Sequence, residues 1–270
     1  MYDLKDKVVL ISGGSRGLGL ALANLLGAEG AKLVITARGK KRLEESRKIL
    51  ESKGYDVFSV VGDVGVWKDS QKIVQSVADR FKRIDVLINN AGVSMRGNFR
   101  DLSLDVCRRI IDTNLFGSIF LTHAAVDHLT ESKGQILFIS SIAGICGFPG
   151  GSIYCATKGA LKNFCESLRL ELGPKQIHVG VVLLGHTAHD PEKRILDAGG
   201  SLILPDRPQT HSQEKAAGLI LKMIHKQKKQ LVTTPLGRFC YVSYRISPWI
   251  VEKVVKWAQR KKIGMFKKCY

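Results

Sequence analysis

The chain has 270 residues, of which 44% are hydrophobic and 24% are charged, as is ordinary for a soluble globular protein. Its formal net charge of +18 favours an anionic partner, such as a phosphorylated cofactor, a nucleic acid, an acidic protein or a membrane surface. No stretch approaches the ~20 apolar residues of a membrane span, the charged N-terminus leaves no room for a signal peptide, and six scattered cysteines suit a reducing compartment, so a cytoplasmic protein is expected.

Short apolar runs alternate with longer amphipathic segments along most of the chain. The runs are rich in Val, Ile and Leu, as expected of strands buried on both faces of a parallel sheet. The predicted strands cover residues 8–12, 32–36, 56–61, 86–89, 135–140, 178–184 and 231–234, and the predicted helices lie near 17–29, 40–53, 68–82, 103–130, 152–173 and 212–227. This alternation predicts an α/β domain over residues 1–235, with a Rossmann-type doubly wound parallel sheet of about seven strands and helices on both faces.

The first predicted strand runs into a glycine-rich loop, Ser12-Gly13-Gly14-Ser15-Arg16-Gly17-Leu18-Gly19, which precedes an apolar helix. Glycines let the backbone approach a pyrophosphate, and the helix N-terminus offers N–H groups and partial positive charge. The spacing is Gly-x3-Gly-x-Gly and not the GxGxxG of the dinucleotide fingerprint. Its place between a strand and a helix nevertheless indicates a dinucleotide site, formed by Gly13, Ser15, Arg16, Gly17, Leu18 and Gly19.

The end of the second predicted strand indicates which cofactor to expect. An acidic residue there would bind the ribose hydroxyls of NAD, but this chain reads Thr36-Ala37-Arg38-Gly39-Lys40-Lys41-Arg42 without a carboxylate. Arg38, together with Arg16 of the glycine loop, suits a 2′-phosphate because guanidinium groups bind phosphate through bidentate hydrogen bonds. The sequence therefore predicts NADPH/NADP+ as the cofactor. The alternative is that both arginines are surface charges of a basic protein.

A tyrosine and a lysine four residues apart give the clearest indication of catalysis. In Tyr154-Cys155-Ala156-Thr157-Lys158 the two side chains share one face of a helix, and an ammonium group favours the ionised form of a nearby phenol. Ser141 arrives from a strand and can hydrogen-bond the same substrate oxygen. The three residues predict proton exchange with a carbonyl or an alcohol. For the Tyr–Lys pair alone, the alternative is a solvated helix face.

Six motifs together resemble those of the short-chain dehydrogenases/reductases across nearly the whole chain. In order, they are the glycine-rich loop, Asp63-Val64, Asn89-Asn90-Ala91-Gly92, Asn114, Ser141 and Tyr154-x3-Lys158. The resemblance implies that Asp63 and Val64 contact the adenine. It also implies that Asn90, Ala91 and Gly92 hold the cofactor ribose and steady the central strand.

The resemblance also implies the catalytic roles. Ser141 orients the substrate carbonyl, and Tyr154 donates a proton as hydride arrives from the nicotinamide. Lys158 binds the nicotinamide ribose and lowers the pKa of Tyr154, while Asn114 positions a water that connects Lys158 to solvent. Carbonyl reduction needs a hydride donor, a proton donor and a hydrogen bond to the developing oxyanion, and each has a candidate here.

The segment from 185 to 212 is predicted to be a long loop or lid over the carboxyl ends of the strands. It begins with Leu184-Gly185-His186-Thr187-Ala188-His189, which departs from the family's Pro-Gly and the threonine that follows. Thr187 is the candidate replacement for that threonine, which holds the carboxamide, and His186 and His189 are candidates for the substrate mouth. The two histidines also have the spacing of a metal pair, but no cysteine or carboxylate constellation lies nearby, so no metal is predicted.

Residues 236–270 are predicted to form a basic amphipathic extension. Trp249, Ile250, Val254 and Trp257 recur at helical spacing, opposite a polar and basic face. Three interpretations remain open: the apolar face packs on the body or on a second subunit, it docks on an anionic membrane surface, or the segment binds nucleic acid. Nucleic acid is the least favoured because no recognised module is present.

These observations predict an NADPH-dependent oxidoreductase that interconverts a hydrophobic ketone or aldehyde, such as a steroid, ketolipid or retinoid, and its alcohol. One alternative is a 3-oxoacyl thioester reductase, whose basic surface would receive an acidic acyl carrier protein. Another is a cofactor-binding scaffold or regulator without turnover. The family resemblance further predicts a homodimer or homotetramer built partly from the helices near 103–130 and 152–173.

Overall fold

The computed structural model describes residues 1–188, 190, 192–205 and 211–261. Its strands are β1 (Val8–Ser12), β2 (Lys32–Ala37), β3 (Val57–Val61), β4 (Val86–Asn89), β5 (Gln135–Ser141), β6 (His178–Leu184), β7 (Ile195–Leu196), β8 (Leu202–Ile203) and β9 (Gln230–Val232). Seven of them form one parallel sheet in the order β3-β2-β1-β4-β5-β6-β9, while β7 and β8 form a small antiparallel hairpin within the predicted lid. The predicted seven-stranded Rossmann-type sheet is confirmed.

The helices fall between the strands as the sequence predicted, with one difference. They are α1 (Gly17–Ala28), α2 (Lys40–Glu51), α3 (Trp67–Phe81), α4 (Leu104–Ile111), α5 (Gly117–Ser132), α6 (Ser152–Leu172), α7 (Gln213–His225), α8 (Pro235–Ile246) and α9 (Pro248–Arg260). The single helix predicted near 103–130 is two helices, α4 and α5, joined by a π-helical turn at Asp112–Phe116.

The sheet has an apolar layer on each face. In β1, Val8 and Leu10 belong to a core cluster that includes residues of α3, α5 and α6, whereas Val9 and Ile11 belong to a second cluster with residues of α1, α2 and α7. All four side chains are buried. Burial on both faces explains the continuous apolar runs in the sequence, and each such side chain contributes roughly 1.5–3 kcal/mol to folding.

The order of the strands creates a crevice at their carboxyl ends. β1 lies between β2 and β4, so the chain winds away from β1 in both directions, and ligands of such sheets bind at this point of reversal. The lid closes over one side of the crevice. It is fixed to the body at Leu196, whose N–H donates to the Ser94 carbonyl at 2.9 Å and whose carbonyl accepts the Arg96 N–H at 2.8 Å.

The predicted amphipathic extension is helical where it is described, and it consists of two helices. α8 begins at Pro235, where the Thr234 hydroxyl accepts the Gly237 N–H at 3.1 Å. It ends at Ile246, and Pro248 begins α9. Within the described residues no helix combines the length and apolarity needed to cross a membrane.

Candidate active site

A cleft of about 400 Å³ opens at the carboxyl ends of the strands, between the glycine-rich loop and the lid. All the predicted cofactor residues line it: Gly13, Ser15, Arg16, Gly17, Leu18, Gly19, Arg38, Asp63, Val64, Asn90, Ala91, Gly92, Tyr154, Lys158 and Thr187. Three other predicted site residues, Asn114, Ser141 and His186, do not line it. His189 lies outside the described residues. The sequence-predicted positions are therefore brought together from at least five separate elements.

The glycine-rich loop is held tightly between β1 and α1. Gly13 has a φ of +65°, and a Cβ added at Gly19 would lie only 2.2 Å from the Gly13 carbonyl oxygen. The side-chain Nδ2 of Asn90 donates to the backbone carbonyls of Ser12 and Gly13 at 2.9 and 3.2 Å. The side chain of Arg16 at the N-cap makes no hydrogen bond to the first N–H groups of α1. The loop and the helix N-terminus therefore suit an anionic phosphate group.

Three arginines line one end of the cleft and offer their guanidinium donors there. Arg16 lies in the glycine loop, Arg38 follows β2, and Arg42 lies in the first turn of α2. Arg38 Nη1 is 3.4 Å from the Asp63 carboxylate, so the predicted adenine-side residue lies next to the predicted phosphate-side residue. Arg42 was not predicted, although it stands in the sequence run that suggested Arg38, because only the turn into α2 directs it toward Arg16.

Tyr154 and Lys158 lie together at the other end of the cleft. Lys158 is buried, its Nζ donates to the Ile139 carbonyl at 2.8 Å, and it lies 5.8 Å from the centroid of the Tyr154 ring. Burial, and to a smaller extent the positive charge of Lys193, lowers the pKa of Lys158 to about 8. The ammonium group is therefore held beside the phenol at a fixed position, as the spacing of four residues predicted.

Ser141 ends β5 next to α6, the helix that carries Tyr154 and Lys158. Its Oγ accepts the Ala143 N–H at 3.1 Å and donates to the Leu184 carbonyl at 3.3 Å. The preceding residue, Ser140, donates its hydroxyl hydrogen to the Lys158 carbonyl at 2.7 Å. These bonds join the carboxyl end of β5 to the neighbouring strand and to α6. They fix the distance between the predicted serine and the Tyr–Lys pair.

Asn114 lies in the π-helical turn and is fully buried. Its Oδ1 accepts the Val93 N–H at 2.8 Å, and its Nδ2 donates to the Val93 carbonyl at 2.9 Å and to the Thr157 hydroxyl at 3.3 Å. The asparagine thus ties the loop after β4 to α6. It holds in place both the backbone next to Gly92 and the turn of helix that carries Lys158.

Several cleft residues that the sequence analysis did not identify come from the lid and from α7. Lys193 and Arg194 line the cleft from the lid. Gln213, the first residue of α7, donates from Nε2 to the Ala188 carbonyl at 3.0 Å. A Cβ on Gly17 would lie 3.0 Å from the Gln213 side-chain oxygen. The lid was predicted as a segment, but the direction of each of its side chains depends on where it is anchored.

Comparisons with known proteins agree with this architecture. The family profile described as short chain dehydrogenase matches residues 7–198. The 11-beta-hydroxysteroid dehydrogenase-like 4A of Arabidopsis thaliana is 42% identical over 183 residues, which are 67% of this chain and only 60% of that protein's length. The Dehydrogenase/reductase SDR family member 7B of Danio rerio is 32% identical over 273 residues, covering 97% of this chain and 88% of that protein.

Solved structures share the fold. A short chain dehydrogenase/reductase from Burkholderia phymatum, determined in complex with NAD, superimposes with a TM-score of 0.82 over 93% of this chain and 96% of that one, at 20% identity. The family profile covers well over half of the chain. This chain therefore belongs to the short-chain dehydrogenase/reductase family of oxidoreductases.

Proposed function

We propose that this protein is an NADPH-dependent oxidoreductase that interconverts a hydrophobic ketone or aldehyde and its alcohol. One observation carries the proposal: Tyr154 and Lys158 line the same cleft as the glycine loop and Arg38. A proton donor and a phosphate-binding wall in one cleft are what hydride transfer to a carbonyl requires. The Arabidopsis relative named hydroxysteroid dehydrogenase-like and the solved relative in complex with NAD support the same class of chemistry.

The cofactor wall would be divided among short segments of the chain. The glycine loop and the N-terminus of α1 would hold the pyrophosphate, and Arg16 and Arg38 would hold the 2′-phosphate. Asp63 and Val64 are proposed to contact the adenine. Residues 90–92 are proposed to hold the ribose, and Thr187 the carboxamide.

Proton transfer is assigned to the catalytic helix. The nicotinamide, when bound, supplies the hydride that the carbonyl carbon receives. Tyr154 gives its hydroxyl proton to the carbonyl oxygen, and Ser141 donates a hydrogen bond to that oxygen as its negative charge develops. The Lys158 ammonium stabilises the tyrosinate that remains, and Asn114 is proposed to position a water that connects Lys158 to solvent. In the reverse direction, Tyr154 takes the proton from the alcohol.

The apolar surroundings of Tyr154 support a hydrophobic substrate. Tyr154 packs against a cluster formed by Met95, Val106 and Ile110 together with Leu196 of the lid. This cluster is buried and keeps water away from one side of Tyr154, which favours an apolar substrate beside the tyrosine. His186 at the start of the lid is proposed to supply a polar contact at the mouth.

The substitution Tyr154→Phe tests the proposal most directly. The variant should lose nearly all NADPH-dependent reduction across a panel of hydrophobic ketones and aldehydes, on the order of 10²–10⁴-fold, because the proton donor is removed. Its Kd for NADPH, followed by fluorescence, should stay close to that of the wild type. Tyr55→Phe, near the amino end of β3, is the matched control and should keep full turnover.

The possible results separate the competing functions. If Tyr154→Phe keeps its turnover, the assignment of Tyr154 as the proton donor is wrong. A wild-type protein that binds NADPH but reduces no member of the panel would favour a scaffold or regulator. A clear preference of the wild-type enzyme for NADH would contradict the assignment of Arg16 and Arg38 to a 2′-phosphate.

Two surfaces are proposed to bind larger partners. We propose a homodimer or homotetramer built partly from the helices near 103–130 and 152–173, where Leu104 and Leu170 are 83% and 80% exposed. We also propose that α8 and α9 dock on an anionic membrane surface. Their exposed apolar side chains are Leu236, Phe239, Val242, Ile246, Trp249, Ile250, Val254 and Trp257, and their basic residues are Arg238, Arg245, Lys253, Lys256 and Arg260.

A further inference from the structure

The three arginines at the glycine-loop end of the cleft, Arg16, Arg38 and Arg42, each lie near a carboxylate. Arg38 pairs with Asp63, which lies on the body of the fold. The other two arginines face the lid: Arg42 forms an ion pair with the Glu192 carboxylate, and Arg16 Nε lies 4.0 Å from the Asp190 carboxylate. Two of the three guanidinium groups are therefore bound by acids that arrive from the opposite wall of the cleft.

The anchors of the lid place Asp190 and Glu192 near the arginines on the opposite side of the cleft. It is fixed at one end by a bridge between Thr187 and His211, and at the other by the hydrogen bonds of Leu196 to the loop after β4. Between these anchors Asp190 makes a turn: its Oδ1 accepts the Glu192 N–H at 2.9 Å, and its carbonyl accepts the Lys193 N–H at 2.8 Å. This turn directs Glu192 toward α2.

Two groups of Glu192 contact the arginines Arg16 and Arg42. Its carboxylate binds Arg42, and its backbone carbonyl accepts a hydrogen bond from Arg16 Nη1 at 3.4 Å. The side chain is 67% exposed, so packing in a core does not explain its position. A carboxylate and a phosphate monoester use the same guanidinium donors. One set of donors cannot serve both groups at full strength.

We propose that Glu192 is a cofactor-discriminating residue of the lid, whose carboxylate competes with the 2′-phosphate of NADP(H) for Arg42, a third arginine beside Arg16 and Arg38. The inference rests on the proposed function, because it takes Arg16, Arg38 and Arg42 to form the 2′-phosphate site. A dinucleotide without a 2′-phosphate leaves the Glu192–Arg42 pair intact. A dinucleotide with that phosphate displaces the pair and frees the lid from α2.

Release of Glu192 also moves charge near the catalytic pair. Lys193 and Arg194 follow directly in the chain and line the same cleft. Lys193 contributes to the lowered pKa of Lys158, so its charge is felt at the catalytic lysine. Displacement of the lid at the 2′-phosphate would therefore also alter the positive charge near Lys158.

The test is the affinity of Glu192→Gln for four ligands, measured with the full chain by fluorescence or calorimetry. NADPH and adenosine 2′,5′-bisphosphate should bind roughly two- to fivefold tighter than to the wild type, the range expected when one exposed competing ion pair is removed. NADH and adenosine 5′-monophosphate should bind unchanged. Glu171→Gln, which neutralises an exposed acid near the end of α6, is the matched control and should alter none of the four constants.

Amide hydrogen exchange gives a second measurement that does not depend on turnover. In the wild type, adenosine 2′,5′-bisphosphate should speed the exchange of lid amides around 192–196, whereas adenosine 5′-monophosphate should not. Equal exchange with both ligands overturns the inference, as do unchanged affinities in Glu192→Gln or equal gains for NADPH and NADH. If the wild type prefers NADPH while the variant is unchanged, only this inference fails. If the wild type shows no preference for NADPH, the proposed cofactor fails as well.

Discussion

Lys158 is buried in surroundings that disfavour its positive charge. The side chain is 5% exposed, and its Nζ is bonded to the Ile139 carbonyl. Burial lowers the pKa of Lys158 to about 8, from the 10.5 of an ordinary lysine in the unfolded chain. Between these two values the unfolded chain binds more protons than the folded protein, so the contribution of Lys158 to stability rises with pH in that window.

The variant Lys158→Met should remove this pH dependence. Between pH 7.5 and 9.5 the free energy of unfolding of the wild type, without cofactor, should rise by about 2 kcal/mol relative to the variant, because the ammonium group is neutralised first in the folded state. Urea unfolding at both pH values measures the difference. Lys175→Met, at an exposed lysine after α6, should follow the wild type. Parallel profiles for wild type and Lys158→Met would contradict the lowered pKa.

At this scale the sequence predicts residues whose partners lie nearby in the chain. The spacing of Tyr154 and Lys158 directly predicts a shared helix face, and Arg38 follows directly from the end of β2. Arg42 and Glu192 escape prediction because they are 150 residues apart and meet only when the lid crosses the cleft. Charge pattern alone does not identify such a pair among 42 basic and 24 acidic residues.

Among the elements, the junction of β5 and α6 decides how the site is assembled. After Ser141 the chain makes a short 3₁₀ turn over Ile142–Gly144 and passes against α6. A Cβ added at Gly144 would lie 2.5 Å from the Lys158 carbonyl oxygen, closer than real contacts allow. Neither the added Cβ nor the Lys158 carbonyl oxygen can rotate away as a flexible side chain would. The turn would therefore have to move away from the helix.

Gly144→Ala should therefore lower both stability and turnover. A loss of roughly 1–3 kcal/mol is expected from overpacking at this contact, and kcat should fall because the turn carries Ser141 away from Tyr154. Thermal unfolding and steady-state kinetics measure the two effects. Gly159→Ala is the matched control, since its Cβ would lie 3.8 Å from the Gly144 carbonyl and alanine favours helix. Equal behaviour of the two variants would show that the junction is not tightly packed.

The order and type of the elements could be predicted, while their interruptions could not. Continuous Val, Ile and Leu runs indicate β1 and β5 because both faces of each strand are buried. The π-helical turn within 103–130 leaves the apolar periodicity nearly unbroken, so the sequence suggests one helix. The reason for the turn is tertiary: it brings Asn114 within hydrogen-bond distance of Val93, on a different element. The start of α9, by contrast, is marked in the sequence by Pro248, which stands in its first turn.

For the molecule as a whole, charge and apolar surface coincide at the C-terminal helices. No residue of α9 is buried, and Trp249 and Trp257 are 59% and 56% exposed. The Lys253 ammonium lies 4.4 Å from the centroid of the Trp249 ring. Glu252 is the only acidic residue within α8 and α9, and it is paired with Lys256. Interfacial tryptophans beside unneutralised lysines and arginines are typical of helices that lie on an anionic lipid surface.

Co-sedimentation with vesicles tests the proposed membrane docking. The protein should sediment with vesicles containing anionic phosphatidylserine and much less with neutral phosphatidylcholine, and salt should weaken the binding because exposed charges are screened. Replacing Trp249 and Trp257 together by serine should release it, since apolar contact with the lipid is lost while the fold keeps its core. Ile49→Ser, at a 52% exposed position on α2, is the control and should bind like the wild type. If the wild type ignores anionic vesicles while the tryptophan variant changes the oligomeric state in solution, the apolar face is an interface between copies of this chain, and the membrane proposal is wrong.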